Sequence, residues 1–369
     1  MTILYGNTAS SGVVSLNYLG TSSDGSVTIA SNTSLVVPNK NGSYDGDMVV
    51  MNYSDLTINS GVTLTTDQPC RGLLVYVSGN CTINGALSMK GRGAFANPTV
   101  AGASDGNAVS ASGLQIPFRT PAGSSTLSAS ASLFNGAGLA ARTAISNHTS
   151  ISSNGTVVTL VRQGAAGGAQ TGGGTPISPN AGANGTTGQT GGGGSGGGYY
   201  NESRGGAGSF GSCFGGGSGA GGVHGGTSAT ATAWGGPGSN GATPNNGYDT
   251  PGGIGNGNGT WGNSGTLTAS TGETNLVSGT GGLIILIVGG TLTIGSSGAI
   301  TAEGVSGGIY SGTTRGGGGA SGGGNIVVAY KTALNNSGAI TANGGTRWGW
   351  GDQLGGAGGN GSVQTLQIL

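Results

Sequence analysis

The chain has 369 residues, of which 88 are glycine, and only 6 % of its residues are charged. Eleven basic residues balance eleven acidic ones, so no basic surface is available to bind nucleic acid or an anionic membrane. Glycine at this frequency disfavours helices, and the 10 prolines are too few for collagen. A hydrophobic content of 34 % also differs from that of a disordered chain.

Short strand patterns begin close to the N-terminus. Residues 1–24 are interpreted as an N-terminal attachment segment, and residues 25–163 as an N-terminal strand-rich scaffold. Within the scaffold, Met48-Val-Val-Met51 is a short apolar strand, and residues 56–64 alternate apolar and polar side chains. Alternation of this kind is typical of half-buried strands. Asn59-Ser-Gly61 and Asn84-Gly85 supply turn signals between the strands.

Three stretches of the sequence resemble one another, starting at Gly72, Gly282 and Gly324. Each has an apolar strand, a turn and a second short strand, and Ala299-Ile-Thr-Ala302 recurs as residues 339–342. A unit this small buries its apolar face only by stacking on a neighbour. We therefore predict an all-β, β-solenoid-like fold of stacked short-strand repeats, with residues 263–369 as a C-terminal strand-repeat region carrying glycine-rich loops.

Glycine-rich segments follow the strand units, and the longest covers residues 164–262. Flexible linkers have this composition, which is one interpretation. Extended polyproline-II-like strands form no internal hydrogen bonds, so glycine strands can approach closely and bond to several neighbours. We predict the second arrangement, in which the glycine-rich loops form a polyglycine-II-like layer.

No cofactor, metal or membrane-spanning segment is expected. The longest apolar run, Leu283–Val288, is far shorter than the roughly 20 residues that a membrane helix needs. The first seven residues lack the features of a secretory signal. The three cysteines match no zinc-site spacing, and we expect reduced thiols in a protein made in a cytoplasm.

Catalytic signals are weak, and we predict no catalytic residues and no enzymatic activity. Asp45 and Asp47 are two residues apart, a spacing that would place both on one face of a strand, but we interpret residues 44–47 as a polar turn. Glu202 stands alone in a glycine-rich segment. His148 and His224 are far apart, and no Ser/His/Asp set is indicated.

Aromatic residues concentrate in the glycine-rich segments after residue 190. Rings beside an uncharged, hydroxyl-rich surface are suited to stacking on sugars or to gripping an outer-membrane protein. The alternative is that the rings cover edges of the glycine layer. The predicted receptor-binding residues are Tyr199, Tyr200, Trp234, Tyr248, Trp261, Trp348 and Trp350; the i, i+2 spacing of the last two puts their rings on one side of an extended chain.

The strand block 24–91, the run Gly191-Gly-Gly-Gly-Ser-Gly-Gly-Gly198 and the Gly-Ala-Ile-Thr-Ala units resemble glycine-rich adhesins and tail-fibre proteins of tailed bacteriophages. The resemblance is one of composition and style over most of the chain. It implies a virion protein, assembled in the host cytoplasm, that mediates host attachment. Its partners would be other virion proteins and a host receptor, either a glycan or an outer-membrane protein, in a homotrimer or a monomeric tip.

Three other functions remain open at this stage. The first is a capsid decoration or head-fibre protein that stabilises the shell and binds no receptor. The second is a bacterial surface adhesin or an ice-binding protein. The third is a glycan depolymerase, which would need a pair of carboxylates.

Overall fold

The computed structural model describes residues 19–40, 46–93, 215–217, 219, 279–306, 319–346 and 356–367, together with the backbone of eight short strands elsewhere. Seven strands lie before residue 93: β1 (Gly25–Ile29), β2 (Thr33–Leu35), β3 (Val49–Ile58), β4 (Thr63–Thr66), β5 (Leu73–Val77), β6 (Cys81–Ile83) and β7 (Ala86–Ser88). Seven short strands follow: β8 (Gln115–Arg119), β9 (Thr126–Ser128), β10 (Ser150–Ser153), β11 (Thr156–Thr159), β12 (Gly198–Tyr199), β13 (Val223–His224) and β14 (Leu267–Thr268). The remaining strands are β15 (Leu283–Val288), β16 (Thr291–Ile294), β17 (Ala299–Thr301), β18 (Ile309–Tyr310), β19 (Asn325–Tyr330), β20 (Ala333–Asn336), β21 (Ala339–Thr341) and β22 (Ser362–Gln367).

Two parallel sheets contain most of the described strands. The larger sheet has the order β20-β16-β6-β3-β5-β15-β19-β22, with β1 also paired to β3. The smaller sheet has the order β2-β4-β7-β17-β21. Strand β3 is ten residues long; its first half pairs with β5 and its second half with β6. The larger sheet therefore stays continuous through β3 and curls strongly into a half-barrel.

The predicted fold class, a β-solenoid with a polyglycine-II-like layer, is wrong. The described strands form parallel sheets around one strongly curled half-barrel, an arrangement closer to the parallel sheets of α/β proteins. The strands predicted at residues 48–51 and 56–64 were separate, but the backbone runs from Val49 to Ile58 as a single strand. Residues 164–262, where the glycine layer was expected, lie almost wholly outside the described residues.

The three similar stretches lie side by side in these sheets. Ile284 of β15 is the register partner of Leu73 in β5 and of Ile326 in β19. Ala299 of β17 is flanked in the same way by Ala86 and Ala339. Strands from the N-terminal and C-terminal parts of the chain thus pair with one another in both sheets, while the division of the chain into four parts stays a prediction.

Aliphatic side chains from the two sheets form one core. Its fully buried rows include Leu73, Val75, Val77, Ile284, Leu286, Val288, Ile326, Val328, Leu292, Leu87 and Ile300. Each such side chain contributes roughly 1.5–3 kcal/mol by leaving water. Strands β5 and β15 are buried along both faces, as expected of central strands in a parallel sheet.

Candidate functional site

Glycine-rich segments meet at one end of the two sheets. Some of them follow strands β7, β17 and β21, and others precede strands β15, β19 and β22. We call this set the glycine cluster; its segments are 91–93, 215–219 (without residue 218), 279–282, 302–306, 319–324, 342–346 and 356–361. Most of its residues are buried although they belong to no named strand.

Backbone hydrogen bonds hold the glycine cluster together in several directions at once. A strand within a sheet bonds to a neighbour on each of its two sides. Segment 319–324, by contrast, bonds to five other segments of the cluster. The bonds are Gly322 N to Gly217 O (2.8 Å), Gly281 N to Gly322 O (3.0 Å), Ser321 N to Val305 O (2.9 Å), Gly345 N to Ser321 O (2.9 Å) and Gly323 N to Gly359 O (2.9 Å).

The absence of side chains makes this close approach possible. A Cβ atom at Gly216 would collide with the carbonyl group of Gly322, and one at Gly324 would collide with the carbonyl group of Gly282. Glycine at these positions is therefore required by the contact between two backbones, a well-known use of the residue. The close packing of backbones in the cluster requires glycine, just as the packed core between the sheets requires Val, Ile and Leu.

Polar side chains add further links between segments of the cluster. The fully buried Ser321 hydroxyl accepts a hydrogen bond from Val305 N and donates one to Gly279 O, both 2.7 Å. Closer to the surface, the hydroxyl groups of Ser306 and Thr346 lie 2.8 Å apart. Buried backbone groups must be paired because leaving one unpaired costs about 1–3 kcal/mol. Ser321 satisfies two of them.

Four stretches of the sequence connect one segment of the glycine cluster to the next. They are residues 94–214, 220–278, 307–318 and 347–355, and the described residues on either side of each belong to the cluster. All seven predicted receptor-binding residues belong to three of these four segments. The cluster thus contains the described residues that flank every segment carrying an aromatic candidate.

Most of the seven aromatic candidates lie outside the described residues. Tyr199 ends β12, which pairs in parallel with β13, and only its backbone is described. The other six, Tyr200, Trp234, Tyr248, Trp261, Trp348 and Trp350, fall in ranges that the structure does not describe. What the structure adds is the location of the segment ends, and Thr346 at one of those ends is exposed, two residues before Trp348.

A group of charged residues adjoins the start of segment 94–214, and no sequence pattern pointed to it. Lys40 Nζ lies 2.6 Å from Asp67 Oδ2. Burial alone would raise the pKa of Asp67, but the hydrogen bonds from Lys40 and the Val37 amide, with the charges of Lys40 and Arg92, hold it below its usual range. Burial lowers the pKa of the Arg92 guanidinium, and the Asp67 charge opposes that shift. The residues of the Lys40–Asp67 and Asp67–Arg92 pairs are too far apart in the sequence for residue spacing to predict the contacts.

Two further acidic residues accept hydrogen bonds, and the Cys81 thiol is fully buried. Asp47 is buried, and its Oδ2 accepts a hydrogen bond from the Asn39 amide at 2.8 Å; Asp45 lies outside the described residues. Glu303 Oε1 accepts a hydrogen bond from the Thr341 hydroxyl at 2.9 Å. Burial raises the pKa of the Cys81 thiol to about 12, which suppresses its reactivity.

The described residues provide neither a metal-binding group of side chains nor a membrane-spanning helix. They contain no group of three or more His, Cys, Asp or Glu side chains arranged to hold a metal ion. Within the same residues, no helix is long and apolar enough to cross a membrane. In comparisons of the whole chain, no family model, curated protein or solved structure matches it.

Proposed function

We propose that the chain is a structural and receptor-binding protein of a phage particle, a tail fibre or fibre-tip adhesin that attaches the virion to its host. The sheets act as the scaffold, and the segments that leave the glycine cluster act as the binding elements. The resemblance to glycine-rich phage adhesins supports the assignment to a virion. The fixed origin of the aromatic segments supports the assignment to binding.

One observation carries this proposal: the segments bearing all seven aromatic candidates begin and end in the glycine cluster. Binding residues occur disproportionately on loops that a rigid scaffold positions. Tyrosine and tryptophan are the side chains enriched at the energetic centres of binding surfaces. Because the glycine cluster is hydrogen-bonded in several directions, it holds the ends of such loops in place. Loops held in this way lose less conformational entropy when they bind a partner.

The chemistry of the site favours binding over catalysis. Each of the five described acidic side chains accepts a hydrogen bond from a nearby group: Asp24 from Asn52 N, Asp47 from Asn39, Asp55 from Asn80 N, Asp67 from Lys40 and Glu303 from Thr341. The ligand is a host glycan or an outer-membrane protein, recognised by aromatic rings and by neutral polar groups such as those of Ser306 and Thr346. No cofactor is needed for this role.

The first test is adsorption to host cells. We expect the double variant Trp348→Ala, Trp350→Ala to lose binding to susceptible cells, because it removes the two rings nearest in sequence to Thr346, while its melting temperature stays unchanged. The matched control is Lys331→Ala with Thr332→Ala, two exposed residues at the far end of β19. Unchanged adsorption of the tryptophan variant would contradict the role of these residues.

A second test locates the protein on the particle. Gold-labelled antibody against this chain should mark the tail fibres or their tips in electron micrographs of intact virions. Labelling of the capsid would replace the proposal with a decoration or head-fibre role. Purified protein that binds resistant and susceptible cells equally would also contradict a receptor-binding function.

A further inference from the structure

Both sheets end at the same side of the molecule, in strands whose outer edges are exposed. Among the described strands, β22 pairs with β19 alone, and β20 and β21 are likewise terminal. Along β22, Val363, Thr365 and Gln367 are exposed. Val363 keeps 39 % of its surface accessible, although it lies beside the fully buried Ile326.

The hydrogen-bonding pattern shows which backbone groups of β22 point outwards. Ser362 N donates to Gly324 O at 3.2 Å, so Ser362 faces β19. Successive residues of a strand direct their N–H and C=O groups to opposite sides. The N–H and C=O groups of Val363 and Thr365 therefore point away from β19, towards the open edge.

The edge of the larger sheet formed by β1, which pairs with β3, carries protection that β22 lacks. At β1, the register with β3 shifts between Gly25 and Val27, and Asp24 lies at the start of the strand. Irregular pairing and charges are devices by which proteins block unwanted pairing at a sheet edge. Strand β22 (Ser-Val-Gln-Thr-Leu-Gln) has no charge and no proline, and its register with β19 is unbroken.

We propose that β22 is a dimerisation edge, at which a second copy of this chain adds its own β22 in antiparallel orientation about a two-fold axis. Such pairing satisfies the outward backbone groups and covers Val363, as in β-strand addition. The three terminal strands carry no charged residue, so two identical edges meet without like-charge repulsion. Surfaces that select a different partner usually rely on charge complementarity, which this edge does not offer.

A two-fold arrangement also fixes the number of copies. An isologous contact uses the same surface on both chains and closes at two. The proposal thus predicts a dimer of twice the chain mass of 34.9 kDa, and it does not depend on the receptor-binding function.

The experiment measures the mass of the full chain by light scattering and sedimentation over a wide concentration range. We expect the wild-type protein to be a dimer. Thr365→Pro removes an outward N–H while leaving the ladder to β19 intact, and two such donors are lost per dimer. Its dissociation constant should rise by at least about tenfold, because each lost hydrogen bond weakens pairing severalfold. The matched control Thr365→Val keeps the N–H and should remain dimeric.

A second variant keeps the test decisive if proline impairs folding. Val363→Lys places a positive charge on each of the two paired edge strands of a dimer and should give a monomer with an unchanged far-ultraviolet circular dichroism spectrum. A wild-type monomer at every concentration would overturn the proposal. So would a trimer, or a dimer that survives both Thr365→Pro and Val363→Lys.

Discussion

Ser321 links segments of the glycine cluster that are far apart in the sequence. Its side chain is fully buried within a glycine-rich run, yet its hydroxyl joins Val305 to Gly279. Its backbone N–H bonds to Val305 O, and its carbonyl oxygen accepts a bond from Gly345 N. One residue therefore fixes three segments, each adjoining a different excursion of the chain.

Replacing Ser321 with alanine is expected to lower the free energy of unfolding by about 2–3 kcal/mol. The change leaves the Val305 N–H and the Gly279 carbonyl without the hydroxyl group, in a buried setting where an unpaired polar group costs about 1–3 kcal/mol. Equilibrium denaturation by urea measures the effect. Ser306→Ala, at a partly exposed hydroxyl, is the control and should cost less than about 0.5 kcal/mol. Equal losses in the two variants would contradict the role of Ser321.

No sequence feature could have identified Ser321. It is one of many serines among glycines, and its contacts join residues 16 and 42 positions away. Sequence patterns report on neighbours within a strand or turn, whereas these partners are brought together only by the fold. The Lys40–Asp67 pair, 27 residues apart, escaped prediction for the same reason.

Strand β16 shows how side chains that alternate between the two faces of a sheet divide into core and surface positions. Leu292 is fully buried in the core beside Cys81 and Leu334, while the adjacent Thr293 is only partly buried beside Thr82 and Asn335. Successive side chains of a strand point to opposite faces. The core therefore depends on Leu292 and the outer surface on Thr293.

Leu292→Ala is expected to cost about 2–5 kcal/mol of stability, the range for a leucine removed from a packed core. Thr293→Ala, one residue away in the same strand, should change stability by less than about 0.5 kcal/mol. Thermal and chemical denaturation of the two variants, side by side, make the comparison. A Thr293→Ala variant as damaged as Leu292→Ala would show that the outer face is also part of a packed core.

The same alternation explains which elements the sequence predicted. The strands around residues 56–64, 283–294 and 325–330 follow apolar runs or strict alternation, and the structure has strands there. Residues 48–51 and 56–64 were predicted as separate strands, whereas β3 runs from Val49 to Ile58 as one strand. Its parallel pairing with β5 and then with β6 supports the whole length of the strand, and such long-range pairing leaves no local sequence pattern.

At the scale of the whole molecule, the sheets and the glycine cluster form one bonded unit. Gly282 N donates to Met89 O, and Asn325 N donates to Gly282 O, so the cluster continues directly into the strands. The sequence indicated that glycine-rich segments follow each strand unit. It also led us to expect glycine strands that bond to several neighbours, but it could not identify the partners, because runs of glycine carry no side-chain pattern from which a particular pairing could be inferred.

Amide hydrogen exchange tests whether the cluster is a stable part of this unit. The amides of Gly281, Gly322 and Gly345 are buried and donate to carbonyl oxygens at 2.8–3.0 Å. They should exchange about as slowly as the Leu286 amide in β15, at least about a thousandfold more slowly than an unprotected amide, because opening them requires cooperative unfolding. Gly61, in an exposed turn with a φ of 73°, is the control and should exchange quickly. If the cluster amides exchanged at the rate of Gly61 while β15 stayed protected, the cluster could not position the aromatic segments, since its hydrogen bonds would open independently of the sheets.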